Sequence, residues 1–302
     1  MTVGVSRGGT GRVVSGLVAG AVVLASGGAG PAAAEASGVG EYVALGDSWA
    51  ADATLSQVSA RFVPVGCAQS AGNYPKQVAA ALGPARFVDA TCGGATTANL
   101  TEPQSLPVGA DNPPQFDRLG PGTDLVTLEI GGNDIGLASA VSECVTGDPG
   151  TAVCRDTYVR DGVDAMTQRI AAAAPKISAA IDGIRARAPR ARILLVDYLA
   201  GIGTTGGCFP VIPISDADAS WLGNKLLELD RMLAEVARAQ KVEFVDTYAG
   251  SGGHDACQAP GVRWVEGLIP LSVNPVGPAV PFHPNQLGAD HQARTVLAAL
   301  RR

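Results

Sequence analysis

The chain has 302 residues, 46% of them hydrophobic and 17% charged, with a formal net charge of −6. That is enough apolar material for the core of one α/β domain or two small ones. The acidic balance excludes the basic surface that nucleic acid requires. Three histidines, and six cysteines with no CxxC spacing, argue against a metal site, and no cofactor is expected.

In the first 34 residues Arg7 and Arg12 are the only charges, Val13 to Ala25 is an apolar run, and Pro31 to Ala36 offers small residues for cleavage. This is the pattern of a secretory signal, with residues 1–36 as signal and short leader and 37–302 as a single domain. Cleavage after Ala34 removes two arginines and no acid, taking the net charge from −6 to −8. Export to an oxidising compartment suits an even number of cysteines. Cys67, Cys92, Cys144, Cys154, Cys208 and Cys257 allow about 15 pairings, and joining neighbours in order is the simplest.

The first predicted strand is Tyr42 to Leu45, a buried apolar run that ends at Gly46 and delivers Asp47, Ser48 and Trp49 to a turn. Ser48 there can cap the following helix, or it can present a hydroxyl at the carboxyl edge of a parallel sheet, where ligands bind. A helix is expected over Tyr74 to Leu82, with Pro75 in its first turn. A second strand, Arg86 to Thr91, runs into Cys92-Gly93-Gly94. Residues 102–121, rich in Pro, Gly, Asn and Asp, read as a loop.

The third strand, Leu125 to Ile130, hands over to Gly131-Gly132-Asn133-Asp134. From Val163 an apolar face at Val163, Met166, Ile170, Ile177, Ile181 and Ile184 predicts a helix, with a kink expected at Pro175. Ile193 to Tyr198 is the fourth strand. Ser215, with Asp216 and Asp218 behind it, starts a helix striped by Leu222, Leu226, Leu229, Leu233 and Val236. Val242 to Asp246 is the fifth strand, and the last helix is expected from about Pro284.

Strands alternating with helices predict a three-layer α/β/α sandwich on a central parallel sheet of about five strands. Two familiar motifs do not fit that frame. Gly4 to Gly8 matches a nucleophile elbow but follows no strand, and Gly201 to Gly206 matches a dinucleotide fingerprint but leads into Cys208 and Pro210 instead of a helix.

GDSWA at 46–50, the glycine of CGGATT at 92–97, GGND at 131–134 and HPNQLG at 283–288 resemble, in order, the blocks of the SGNH (GDSL-type) hydrolases. The likeness spans nearly all of residues 37–302. It implies the flavodoxin-like SGNH fold, with Ser48 as nucleophile and His283 as general base. It also implies an oxyanion hole of the Ser48 N–H, the Gly94 N–H and the Asn133 side chain. The chain is most similar to secreted actinobacterial lipases and esterases of the family. These imply Cys67–Cys92, Cys144–Cys154 and Cys208–Cys257.

Many members carry an aspartate three residues before the histidine, where this chain has Val280. The carbonyl of Val280 or Pro281 is therefore expected to orient the imidazole, as a backbone carbonyl does in some members. The implied function is a secreted serine ester hydrolase, a lipase or carboxylesterase, that is monomeric, acts on an ester or lipid and does not insert stably into a membrane. A carbohydrate (acetyl) esterase of the same fold and a non-catalytic binding module are the alternatives. The loops 102–121 and 260–284 are expected to line the pocket, the second with Trp264, Leu268, Ile269, Leu271 and Phe282.

Overall fold

A computed structural model describes residues 38–302 except 53 and 270, together with residues 4, 8, 9 and 11. The expected signal and leader, 1–36, otherwise lie outside the described residues. The chain divides into a unit Met1–Glu35 and a unit Ala36–Arg302, and the second carries every element named below.

Five strands, β1 (Glu41–Gly46), β2 (Arg86–Asp89), β3 (Leu125–Glu129), β4 (Arg192–Val196) and β5 (Glu243–Val245), form one parallel sheet in the order β2-β1-β3-β4-β5. Side chains alternate across it, as the pleat dictates. Tyr42 and Ala44 of β1 pack on one face with Tyr74 and Val78 of α2 (Tyr74–Leu82) and Val296 of the last helix, Gln286–Leu300. Val43 and Leu45 pack on the other with Ile177 and Ile181 of the helix Ala165–Arg187 and Leu229 and Leu233 of the helix Asp216–Gln240. The result is a three-layer α/β/α sandwich. Because β2 and β3 flank β1 on opposite sides, the topological switch lies between β1 and β3, and a crevice opens beyond their carboxyl ends.

Some boundaries differ from the sequence expectation. Val163 belongs to a two-residue strand with Asp164, whose carboxylate accepts from Met166 and Thr167 N–H and so starts the helix at Ala165. That helix is one run through Pro175, which lies on its exposed side. The last helix begins at Gln286, not Pro284, since the Asn285 side chain accepts from the N–H groups of Leu287 and Gly288. Disulfides join Cys67–Cys92, Cys144–Cys154 and Cys208–Cys257. Among the described residues no helix is long and apolar enough to cross a membrane.

Gly46 shows why the first strand must end as it does. A Cβ there would lie 2.6 Å from the Glu129 carbonyl oxygen and 3.0 Å from the Ala50 Cβ, and the carbonyl belongs to a neighbouring strand that cannot retreat. Gly46→Ala is expected to lower stability in urea unfolding by about 1–3 kcal/mol, the range of an overpacked interior. An unchanged midpoint would show that the turn has slack.

Candidate active site

Three turns at the carboxyl edge of the sheet meet at one cavity. After β1 the chain enters a short helix, α1 (Ser48–Ala51), capped by Asp47, whose Oδ1 accepts the Trp49 N–H at 3.0 Å. The capping task thus falls to Asp47 and leaves the Ser48 hydroxyl for another partner. That partner is His283: Nε2 lies 2.7 Å from Ser48 Oγ, and Nδ1 lies 2.8 Å from the carbonyl oxygen of Pro281. A carbonyl can only accept, so Nδ1 holds the proton and Nε2 is the lone-pair nitrogen facing the serine. Burial of the ring pushes the His283 pKa below its ordinary 6.5, opposed by the Pro281 carbonyl. Of the two carbonyls expected from the sequence, Pro281 is the one in contact.

Among the described residues no carboxylate touches this imidazole; the backbone holds it instead. Glu266 N–H donates to the His283 carbonyl at 2.9 Å, Phe282 N–H to the Glu266 carbonyl at 3.0 Å, and Asn285 N–H to the Trp264 carbonyl at 2.8 Å. Phe282 sits in the left-handed region, with φ of 54°. Behind this ladder the buried Glu266 accepts from Arg263 at 2.6 Å and from Asn285 Nδ2 at 2.9 Å. Trp264 is stacked between His254 and His291.

Of the other site residues expected from the sequence, Asn133 follows β3 and lines the cavity with Ser48. Its Nδ2 donates to the Ala95 carbonyl at 2.9 Å, which fixes the amide and leaves a second N–H on the same nitrogen. Gly94, at φ of 75°, does not line the cavity. The N–H groups of Ser48 and Gly94 have no hydrogen-bond partner among the described residues.

The cavity encloses about 260 Å³, and its walls are mainly apolar: Leu137 and Val141 before Cys144, Leu222 and Leu226 of the helix Asp216–Gln240, and Ile202, Leu268 and Phe282 from loops. The loop 102–121, expected to line it, does not. It braces the turns from behind. Gln115 accepts from Gly46 N–H and donates to the Gly46 carbonyl, both at 2.9 Å, and Gln104 donates to the Gly93 carbonyl at 2.7 Å. Trp264, Ile269 and Leu271 are also absent from the wall. Trp264 is engaged in its stack, and the other two face outward, 74% and 52% exposed.

A profile of the GDSL-like Lipase/Acylhydrolase family matches residues 44–291. The chain belongs to that family. It is 36% identical over 281 residues to Lipase 2 of Streptomyces coelicolor, covering 89% of this chain and 88% of that one. It is 30% identical over 327 aligned positions to the Esterase of Streptomyces scabiei, covering 94% of each. The crystal structure of an extracellular lipase from Streptomyces rimosus shares the fold, with a TM-score of 0.67 at 24% identity over 86% of this chain and 99% of that one.

Within this family site one residue escaped the sequence reading. Tyr198, two residues past β4 and 1% exposed, donates its hydroxyl to Asp47 Oδ2 at 2.6 Å and accepts the Gly132 N–H at 2.9 Å. It ties the turn bearing Ser48 to the turn bearing Asn133. The apolar fourth strand gave no hint of this, because both partners are distant in sequence. Burial raises the Asp47 pKa to about 7, and the Tyr198 hydroxyl pulls in the opposite direction.

Tyr198→Phe leaves the buried Gly132 N–H without an acceptor, at a cost of about 1–3 kcal/mol in urea unfolding. It also removes a donor that favours the carboxylate, so the Asp47 titration followed by carboxyl NMR moves above about 7. A titration that stays put contradicts the assigned bond.

Proposed function

We propose that the chain is an exported serine ester hydrolase that cleaves acyl esters through an acyl-enzyme on Ser48. The observation that carries this reading is the 2.7 Å contact between Ser48 Oγ and His283 Nε2 on the wall of an apolar cavity. His283 takes the serine proton on Nε2 while Oγ attacks the ester carbonyl. The resulting imidazolium keeps its Nδ1–H on the Pro281 carbonyl, a dipole in place of the full negative charge of a carboxylate. Charge developing on the substrate oxygen is met by the second Asn133 N–H and by the Ser48 N–H, both on the cavity wall, with the Gly94 N–H, off that wall, as the third donor the family likeness implies. The proton on Nε2 then passes to the leaving alcohol, and water repeats the sequence on the acyl-enzyme.

Leucine, valine, isoleucine and phenylalanine walls support an acyl chain as the bound part of the substrate. An acetylated sugar would bring hydroxyls that such walls leave without partners. The names of the relatives, a lipase and an esterase, agree with the acyl reading. Export is supported by the charge-poor, apolar start of the sequence and by three disulfides.

Ser48→Ala is expected to abolish covalent labelling by an organophosphonate, and persistent labelling would refute the nucleophile. Asn133→Ala should lose about 10²–10³ in kcat on a short acyl nitrophenyl ester, the usual loss of one oxyanion donor. Full activity would remove Asn133 from that role.

The pH dependence follows from His283. Its folded pKa lies below 6.5, so the neutral base persists as pH falls past 6.5 and is lost only at a lower value. The acid limb of kcat/KM is therefore expected to have its midpoint below pH 6.5. A midpoint above 6.5 would mean that a negative charge, and not a carbonyl, faces the imidazole.

A further inference from the structure

Residues 267–282, Gly-Leu-Ile-Pro-Leu-Ser-Val-Asn-Pro-Val-Gly-Pro-Ala-Val-Pro-Phe, contain no charged side chain. The segment leaves and re-enters the fold at the backbone ladder that holds His283, where Val265 bridges Pro284. Its two ends lie in the cavity wall, Leu268 at the start and Phe282 at the finish. Between them is a hairpin of two short antiparallel strands, β6 (Leu271–Val273) and β7 (Val276–Pro278).

The hairpin has its polarity reversed. An antiparallel pair with one face on a core turns apolar side chains inward and polar ones to water. Here the inward pair is Ser272 and Gly277. Ser272 is 1% exposed, and a Cβ on Gly277 would meet the Ser56 Cβ at 2.8 Å, so this face is pressed onto the segment that follows Ser48. The outward pairs are Leu271 with Pro278 and Val273 with Val276; Val273 is 45% and Val276 77% exposed. Ile269, at 74%, adds to the same segment. Arg263, itself bonded to Glu266, donates to the Leu271 carbonyl and anchors the root.

We infer that this hairpin is the surface by which the enzyme adsorbs to an aggregated lipid ester, seating the cavity mouth against the lipid–water interface. The inference rests on the ester-hydrolase reading. A lipid surface suits the patch because it accepts apolar side chains without requiring a shaped partner. The absence of charge across residues 267–282 also removes the local desolvation cost of approach. A second copy of the chain suits it poorly: two strands of three residues fall far short of the about 20–30 residues a side that a stable interface engages. Adsorption here delivers an ester next to Leu268 and Phe282, already in the cavity wall.

The test compares three forms, each on a Ser48→Ala background to prevent turnover: the parent, Val273→Glu with Val276→Glu, and the shape-conserving Val273→Thr with Val276→Thr. Flotation with phosphatidylcholine vesicles should show the parent bound. The Glu pair should be about tenfold or more weaker and the Thr pair intermediate, following the apolar surface removed. With Ser48 restored, both pairs should hydrolyse a dissolved short acyl nitrophenyl ester at the parental rate.

Equal vesicle binding by all three forms overturns the proposal. So does a parent that sediments as a dimer which the Glu pair dissociates, because the hairpin then faces a second copy. Failure of the hydrolase reading is separately visible, as no activity on the dissolved ester by the protein with Ser48 and both valines intact.

Discussion

The site depends on holding His283 against Ser48 with a backbone carbonyl behind the imidazole. A carbonyl supplies direction to Nδ1–H but little pull, so the ring's position has to come from the chain on either side of it. That chain is pinned by three backbone hydrogen bonds between 264–266 and 282–285. Each strengthens the others, because ordering one residue lowers the entropy cost of the next. Asn285 does double duty: its carbonyl oxygen caps the last helix, and its amide donates to Glu266 and to the Arg263 carbonyl. The helix start and the histidine loop are therefore set by the same side chain.

Beneath the turns lies a layer of buried acids whose ionisation is suppressed. Burial raises Asp47 and Asp197 to about 7, and Glu129, against Gln292, well above its ordinary value. For an acid raised in this way, the folded state binds protons that the unfolded state has released. Its contribution to stability is greatest below the unfolded pKa of about 4 and is lost as pH rises toward 7. His283 acts in the opposite sense, since its lowered pKa makes the folded state resist a proton that the unfolded chain takes up below 6.5. Where His283 is neutral and Asp47 only part ionised, the ground beside Ser48 carries less negative charge than its sequence suggests. On the proposed mechanism that favours the growing oxyanion, which a fixed charge on Asp47 would repel.

Much of this was legible in the sequence because it is local. Apolar runs gave all five strands, three of them leading into glycine turns, the leucine stripe from Leu222 to Val236 gave a helix, and four short blocks gave the family. What was not legible depends on residues far apart in the chain. The loop 102–121 reads as a pocket wall only because composition cannot show that Gln115 reaches Gly46 and Gln104 reaches Gly93. Ser48 taken by itself reads as a cap or as a presented hydroxyl, and that the cap falls to Asp47 is visible only in the fold. Pro281 was separable from Val280 only once the left-handed Phe282 turned the chain. Tyr198 carries no local signal at all.

The reversed hairpin was half legible, since its lack of charge is plain but its direction is not. An apolar segment next to His283, the proposed base, invites the reading of a cavity wall, and the two ends of 267–282 do form one. The middle cannot, because Gly277 packs against Ser56 and its partner Ser272 is buried on the same face, and the two-residue period then sends Leu271, Val273 and Val276 outward. The root of the hairpin is fixed by the ladder that fixes His283. On the proposed mechanism the outward apolar surface and the base facing Ser48 thus share one anchor, which holds the hairpin in a set relation to the cavity wall it adjoins.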